Sequence, residues 1–289
     1  MFSDALHRDA AKIGAHLEEV LSAGPNLPVM EGMRYAVAGG KRLRGFLVME
    51  GARLHGVPEE QAIWPAAAIE AIHAYSLVHD DLPCMDDDDL RRGLPTVHRK
   101  WDDGTAVLVG DALQTLGFEL ALDPACHPSA EVRADLALSL GRASGRAGMV
   151  LGQALDIAAE SAEAPLTLDQ ITELQAGKTG ALIVWSAEAG ARLAQADLTP
   201  LTNYARALGL AFQIADDILD VEGDERTVGK AVGKDADRGK ATFVSLLGIE
   251  GAKRRAAELV EAACEALSPY GDRAQTLNDA ARFVISRDT

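Results

Sequence analysis

HDDLPCMDDDDLRRG, residues 79–93, puts six aspartates into the ten positions 80–89 and two arginines directly behind them. So many like charges repel, and two readings relieve the repulsion. Either the segment is a solvated acidic loop, or a multivalent cation neutralises it. The segment before it, 59–80, carries apolar residues at helical spacing, so the cluster begins where a helix ends. Pro83 interrupts that helix and leaves the loop able to fold Asp86 back towards Asp80 and Asp81. ADDILDVEGDERTVGK at 215–230 is a second version of the same layout. On a helix Asp216 and Asp220 lie one turn apart on one face, with Asp217 beside them and Gln213 a turn earlier. Carboxylate oxygens of this kind suit Mg²⁺, and also Mn²⁺. An EF-hand loop is excluded, because Arg91 stands where its glycine belongs.

Small groups of cations follow the same logic. GGKRLRG at 39–45 reads as a helix start with two glycines, setting Lys41 and Arg44 three residues apart. It is either an ordinary charged helix start or a cradle for a diphosphate built from amides and cations. Lys230, Lys234 and Lys240 trail the second cluster as phosphate-sized point charges. AGKTGAL at 176–182 lacks the upstream glycine and the strand of a P-loop, and Lys178-Thr179-Gly180 predicts a kink exposing backbone carbonyls. GRASGRAG at 141–148 lacks dinucleotide spacing and predicts close helix packing. His79 beside Asp80 has no further histidines to complete a phosphohydrolase set.

The 289 residues are 48% apolar and only 4% aromatic, rich in Ala and Leu, which favours helices over sheets. Segments 4–22, 59–80, 104–122, 130–159, 167–190, 198–222 and 242–268 are predicted helical, with a weaker one closing the chain. No linker or charge block divides them, so a single all-α domain over 1–289, of about ten helices, is expected. A net charge of −16 argues against a nucleic-acid partner. Cys84, Cys126 and Cys264 have neither disulfide nor zinc spacing. No run is expected to reach the ~20 apolar residues of a membrane span, and the N-terminus lacks a secretion signal. A soluble cytoplasmic protein without membrane partners is the expectation.

Taken together, Asp80-Asp81-x4-Asp86 with Arg91-Arg92, and Asp216-Asp217-x2-Asp220, resemble the trans-isoprenyl diphosphate synthases, in their bacterial farnesyl (geranyltranstransferase) branch. The resemblance includes GGKRLRG, IHAYSLVHDDLP, GDALQTLGFELAL, KTGALI, FQIADDILDVEGD and GKATFVSLLG, over two-thirds of the chain. It implies an isoprenoid synthase-type helical bundle around a central cavity, usually a homodimer, with two aspartate motifs facing each other. Asp80, Asp81, Asp86, Asp216 and Asp217, with Asp220, would hold about three Mg²⁺ ions on an allylic diphosphate. Arg91, Lys178, Lys230 and Lys240 would grip the same group. Lys41, Arg44, His73 and Arg92 would hold isopentenyl diphosphate. Thr179 and Gln213 would present oxygens to the developing cation. Tyr75 and Ser76 would form the floor that stops growth at farnesyl length, although Tyr75 also reads as an ordinary core aromatic.

Three positions depart from the family pattern. Gly45 replaces a proline, Phe243-Val244 replaces Tyr-Pro, and Cys84 sits inside the first motif, as in geranylgeranyl synthases. Geranylgeranyl or geranyl synthesis by the same mechanism is the closest alternative. A terpene cyclase lacks use for Lys41, Arg44, His73 and Arg92. A non-catalytic partner subunit would have lost an aspartate cluster, and an acidic scaffold leaves the interleaved cations unexplained.

Overall fold

A computed structural model describes residues 2–161, 164–222 and 241–286. The described chain is almost entirely helical: α1 Phe2–Val20, α2 Pro28–Val37, α3 Leu43–Leu54, α4 Glu59–Asp80, α5 Val97–Lys100, α6 Asp103–Leu122, α7 Ala130–Ser144, α8 Met149–Glu160, α9 Leu168–Gln175, α10 Ala181–Leu193, α11 Thr199–Glu222, α12 Phe243–Ala266 and α13 Gln275–Ser286. A π-turn, Ala176–Gly180, joins α9 to α10, and a 3₁₀ segment, Ser268–Ala274, precedes α13. The described residues form two units, an N-terminal one (within 3–138 and 189–196) and a C-terminal one (within 1–2, 139–188 and 197–289).

In the N-terminal unit α4 is flanked by α3 and α6. Leu47, Ile69, Ile72 and Leu113 are fully buried there. Gly110 and Gly117, two turns apart, bring the α6 backbone onto α4. A Cβ at Gly110 would lie 1.9 Å from Nε2 of His79, and one at Gly117 2.6 Å from Ile72. Contrary to expectation, α6 is long and apolar enough to cross a membrane by length and composition. Its Val109, Leu113, Leu116 and Leu120 are nevertheless buried, as in the core helix of a compact unit.

In the C-terminal unit α11 packs along α12, with Trp185, Tyr204 and Phe243 as its largest buried side chains. The Tyr204 hydroxyl donates to the Leu277 carbonyl (2.8 Å), and the Trp185 indole donates to Ser139 (3.0 Å).

Three local expectations are corrected. The helix expected over 130–159 is two helices. The chain turns through Gly145–Gly148, where added Cβ atoms would lie 2.6 Å from the Gly141 carbonyl and 2.1 Å from the Ala143 carbonyl. The α3 helix begins at Leu43, with Arg42 in the left-handed region (φ 51°), so Lys41 precedes it and does not share its face with Arg44. α2 went unforeseen because its N-cap, Leu27, makes no side-chain cap, which leaves Pro28 and the first-turn Glu31 as its start signals.

Candidate active site

α4 ends at Asp80, and after Pro83 the chain doubles back so that the Asp86 N–H donates to the Asp80 carbonyl at 2.8 Å. Asp86 therefore returns beside Asp80, as the proline break permits. Asp81 is 3% exposed, and Nε and Nη2 of Arg91 grip its carboxylate at 2.6–2.9 Å. Burial pushes the Asp81 carboxyl above the usual carboxylate range, against the pull of the Arg91 guanidinium.

The consecutive arginines serve different partners because they straddle a hairpin. Leu90–Arg91 (β1) pairs antiparallel with Leu94–Pro95 (β2) around Arg92 and Gly93, both at positive φ (53° and 75°). Arg91 turns to Asp81, while the Arg92 guanidinium lies over Gly40, where a Cβ would come within 2.8 Å. Gly39 and Gly40 both adopt positive φ. Val37, Gly39, Arg42, Glu70, His73 and Arg92 line a small cavity. Burial, then the nearby Arg44, Arg92 and Arg91 guanidiniums, hold the His73 ring well below its ordinary pKa, so it is neutral at physiological pH. The structure thus gathers Arg44, His73 and Arg92. Lys41 lies exposed in the turn before α3.

His73 and Asp80 share one face of α4, two turns apart, which separates cationic and acidic groups by about 10 Å along one rigid helix. Arg42 and Glu70, which sequence reasoning passed over, belong to the same place. Arg42 donates to the Val37 carbonyl (2.8 Å), and Glu70 accepts the Gly45 N–H (2.8 Å). The signal for Glu70 was available: it lies three residues before His73, on a stretch of α4 that is otherwise apolar.

In the C-terminal unit, Gln213, Asp216, Asp217 and Asp220 follow one another along α11. The Phe243 N–H donates to Oδ2 of Asp217 at 2.7 Å, so this carboxylate caps the first turn of α12 beside the Thr242–Ser245 capping box. Lys178 and Thr179 lie in the π-turn, the distortion expected at that position. The Lys178 ammonium pairs with Asp156 of α8 at 2.7 Å. Gly152, one turn before Asp156, allows the approach: a Cβ there would stand 2.0 Å from the Lys178 nitrogen. Asp156 was also missed, since a single acid on a helix reads as solvent-facing. Lys230, Lys234 and Lys240 lie outside the described residues.

Tyr75 is 5% exposed and edge-on to His79 (centroids 5.9 Å apart), with its hydroxyl near Gln114 of α6. The Ser76 hydroxyl donates back to the His73 carbonyl (2.9 Å).

Asp80, Asp81, Asp86, Asp216, Asp217 and Asp220 offer carboxylate oxygen alone, the donor that Mg²⁺ and Mn²⁺ prefer. Among the described residues no three His, Cys, Asp or Glu side chains gather into a metal cage. Mg²⁺ is commonly held by one or two carboxylates, with water and phosphate oxygens completing its shell, and these donors fit that mode.

A family profile described as polyprenyl synthetase matches residues 28–277. The farnesyl diphosphate synthase of Haemophilus influenzae is 42% identical over 300 residues, covering 99% of this chain and 98% of the relative. That of Escherichia coli is 46% identical over 273 residues, 91% and 90% of the two chains. The apo crystal structure of an FPP/GFPP synthase from Zymomonas mobilis superposes with a TM-score of 0.90 at 46% identity over 98% of each chain.

Proposed function

This chain belongs to the polyprenyl synthetase family, and we propose that it is a trans-prenyltransferase that joins isopentenyl diphosphate to dimethylallyl or geranyl diphosphate, making farnesyl diphosphate. The observation that carries this reading is α4 itself. One helix face presents the neutral His73 among arginines and, two turns on, the first aspartate motif. A diphosphate that must be retained and one that must leave need these two different surroundings.

The chemistry asks little covalent work of the protein. The allylic C–O bond breaks and its electron pair leaves with the diphosphate. The double bond of isopentenyl diphosphate attacks the allylic cation, forming the new C–C bond. The proton then lost from the isopentenyl carbon passes to the released pyrophosphate. In the N-terminal unit Arg44, His73 and Arg92, with Lys41, bind isopentenyl diphosphate and hold its double bond in place. Asp80, Asp81, Asp86 and Arg91 in that unit, and Asp216, Asp217, Asp220 and Lys178 in the other, each provide for an allylic diphosphate. About three Mg²⁺ ions at these aspartates would supply Lewis-acid neutralisation of the leaving group. Thr179 and Gln213 offer oxygen dipoles to the cation, and apolar walls exclude the water that would quench it. Tyr75 and Ser76 limit product length, and the bulk and burial of Tyr75 support that role. Lys230 and Lys240 are proposed as further diphosphate ligands on the sequence pattern alone.

The family profile runs through both units, which supports residues 1–289 acting as one domain. We take the enzyme to be soluble, cytoplasmic and homodimeric, with neither nucleic acid nor membrane as partner. Val107, Leu108 and Leu122 of α6 are 42–58% exposed, apolar area that a second copy would cover. Longer products are the second reading, favoured by the Zymomonas mobilis relative, whose name gives two products.

The test is pyrophosphate release by purified protein with each substrate alone and with both. Release equal to isopentenyl diphosphate consumed, needing both substrates and Mg²⁺ and abolished by chelator, is expected. Equally fast release from the allylic substrate alone would point to cyclisation or hydrolysis, and no release to a non-catalytic subunit.

A further inference from the structure

The start of α3 is an unusual piece of backbone. Gly39, Gly40 and Arg42 all adopt positive φ within four residues, and Arg42, the N-cap, gives no side-chain cap to the helix. The first amides of a helix lack partners within it, and a buried one needs an acceptor from elsewhere. At the third helical residue, Gly45, that acceptor is Oε1 of Glu70, 25 residues away on α4, at 2.8 Å. Glu70 is 8% exposed, and a carboxylate buried so deeply is costly without partners. Its hydrogen-bond partner is the Gly45 amide, and the guanidiniums of Arg42 and Arg92, which line the same small cavity, feel its charge as an opposing influence to their burial.

The packing leaves no slack. A Cβ at Gly45 would stand 2.6 Å from Cδ1 of Ile13 and 3.2 Å from both the Ala66 carbonyl and Cγ of Glu70. The helix start is therefore packed closely against α1 and α4 at a position where an added side chain would make Ile13 and its α4 neighbours shift and where the N–H is used. Proline here would have neither the space nor the donor. Arg44 is the residue directly before this amide, and Glu70 lies one turn from His73 on α4.

We propose that Glu70 is a positioning residue for the isopentenyl diphosphate site, holding the first turn of α3, and with it Arg44, through the Gly45 amide. This rests on the prenyl-transfer reading above. The loss of a charge-assisted hydrogen bond at this point should weaken binding roughly tenfold. Glu70→Leu removes the acceptor, Glu70→Gln keeps a carbonyl of the same reach, and Glu70→Asp keeps the charge but withdraws it by one methylene.

The experiment is steady-state kinetics of wild type and the three variants, varying each substrate in turn, with thermal midpoints recorded alongside. The expected result is a KM for isopentenyl diphosphate raised about tenfold in Glu70→Leu, an unchanged KM for the allylic substrate, and near-complete rescue by Glu70→Gln. Should Glu70→Leu fail to fold, Glu70→Asp answers the same question, with a smaller rise in the same KM alone. A lowered thermal midpoint with both KM values unmoved would overturn the proposal, as would equal rises in both. Failure of Glu70→Gln to rescue would overturn the amide route. Absence of turnover in wild type would instead contradict the prenyl-transfer reading, and the proposal would fall with it.

Discussion

In the proposed role of Lys178, a diphosphate must compete with a carboxylate already in place. The Lys178–Asp156 pair, at 2.7 Å with side chains 29% and 14% exposed, is partly shielded from water, so its loss is felt more than that of a surface pair. Asp156→Asn should leave the fold intact and change the KM for the allylic substrate severalfold, by about 1 kcal/mol. An unchanged KM in steady-state assays would show that Asp156 has no hold on Lys178 function. His73 offers a second test at this scale. Its folded pKa is depressed below the ordinary 6.5 by burial and by Arg44, Arg92 and Arg91. The unfolded chain therefore takes up the proton first as pH falls. The stability tied to the neutral ring is complete above about pH 6.5 and is lost as pH drops below it. Denaturant midpoints of wild type should fall more steeply between about pH 7 and 5 than those of His73→Gln. Parallel curves would contradict the assignment.

At the scale of elements, two contacts tie helices together firmly enough to be measured. Asp9 of α1 is wholly buried and is held by both Nη atoms of Arg53 on α3, at 2.6 and 2.7 Å, with Glu50 joining the same guanidinium. Arg53→Met would leave the Asp9 charge with only the longer contact from Nε of Arg8 (3.2 Å) and should cost about 3 kcal/mol, read as a lowered thermal midpoint. A change within error would mean that water replaces the arginine. Gly152→Ala would push a methyl into the Lys178 backbone, where no flexible side chain can yield, and should cost about 1–3 kcal/mol while distorting the π-turn. Full stability and full activity in that variant would contradict the backbone contact. The helical runs at α1 and around Gly152 and Lys178 were legible from apolar period, whereas α3 was legible only as a helix start at GGKRLRG. The π-turn was legible only as a kink at Lys178-Thr179-Gly180. The break at Gly145–Gly148 was not, because glycine spacing inside an Ala-rich run marks close packing and a turn equally well.

Across the whole molecule, what the sequence revealed and what it hid divide along a physical line. The aspartate motifs stood out because like charges accumulate where a helix ends, and the break at Pro83 permitted the return of Asp86 to Asp80 that the structure shows. Arg44, His73 and Arg92 were found through family resemblance, and the hairpin that separates Arg91 from Arg92 explains why adjacent arginines have different partners. Asp156 stayed hidden because a lone charge on a helix carries no sequence mark of burial, and Arg42 because nothing in GGKRLRG marks its left-handed backbone; Glu70 was legible as the one acid in an apolar stretch of α4 and was passed over. Gly45 stood out only as a departure from proline, and Glu70 secures the helix start there through an amide that proline lacks. The apolar α6 passed unmarked as a possible span, although its length and hydropathy meet that test and much of it faces α4.

The central claim is that the chain elongates an allylic diphosphate by isopentenyl units and stops at farnesyl length against Tyr75. Chromatography of the product from isopentenyl and dimethylallyl diphosphates, with Mg²⁺ and wild-type protein, tests it most directly. Farnesyl diphosphate as the dominant product is the predicted result. A dominant longer product would contradict the role of Tyr75, and no prenyl product from folded protein would contradict the claim itself.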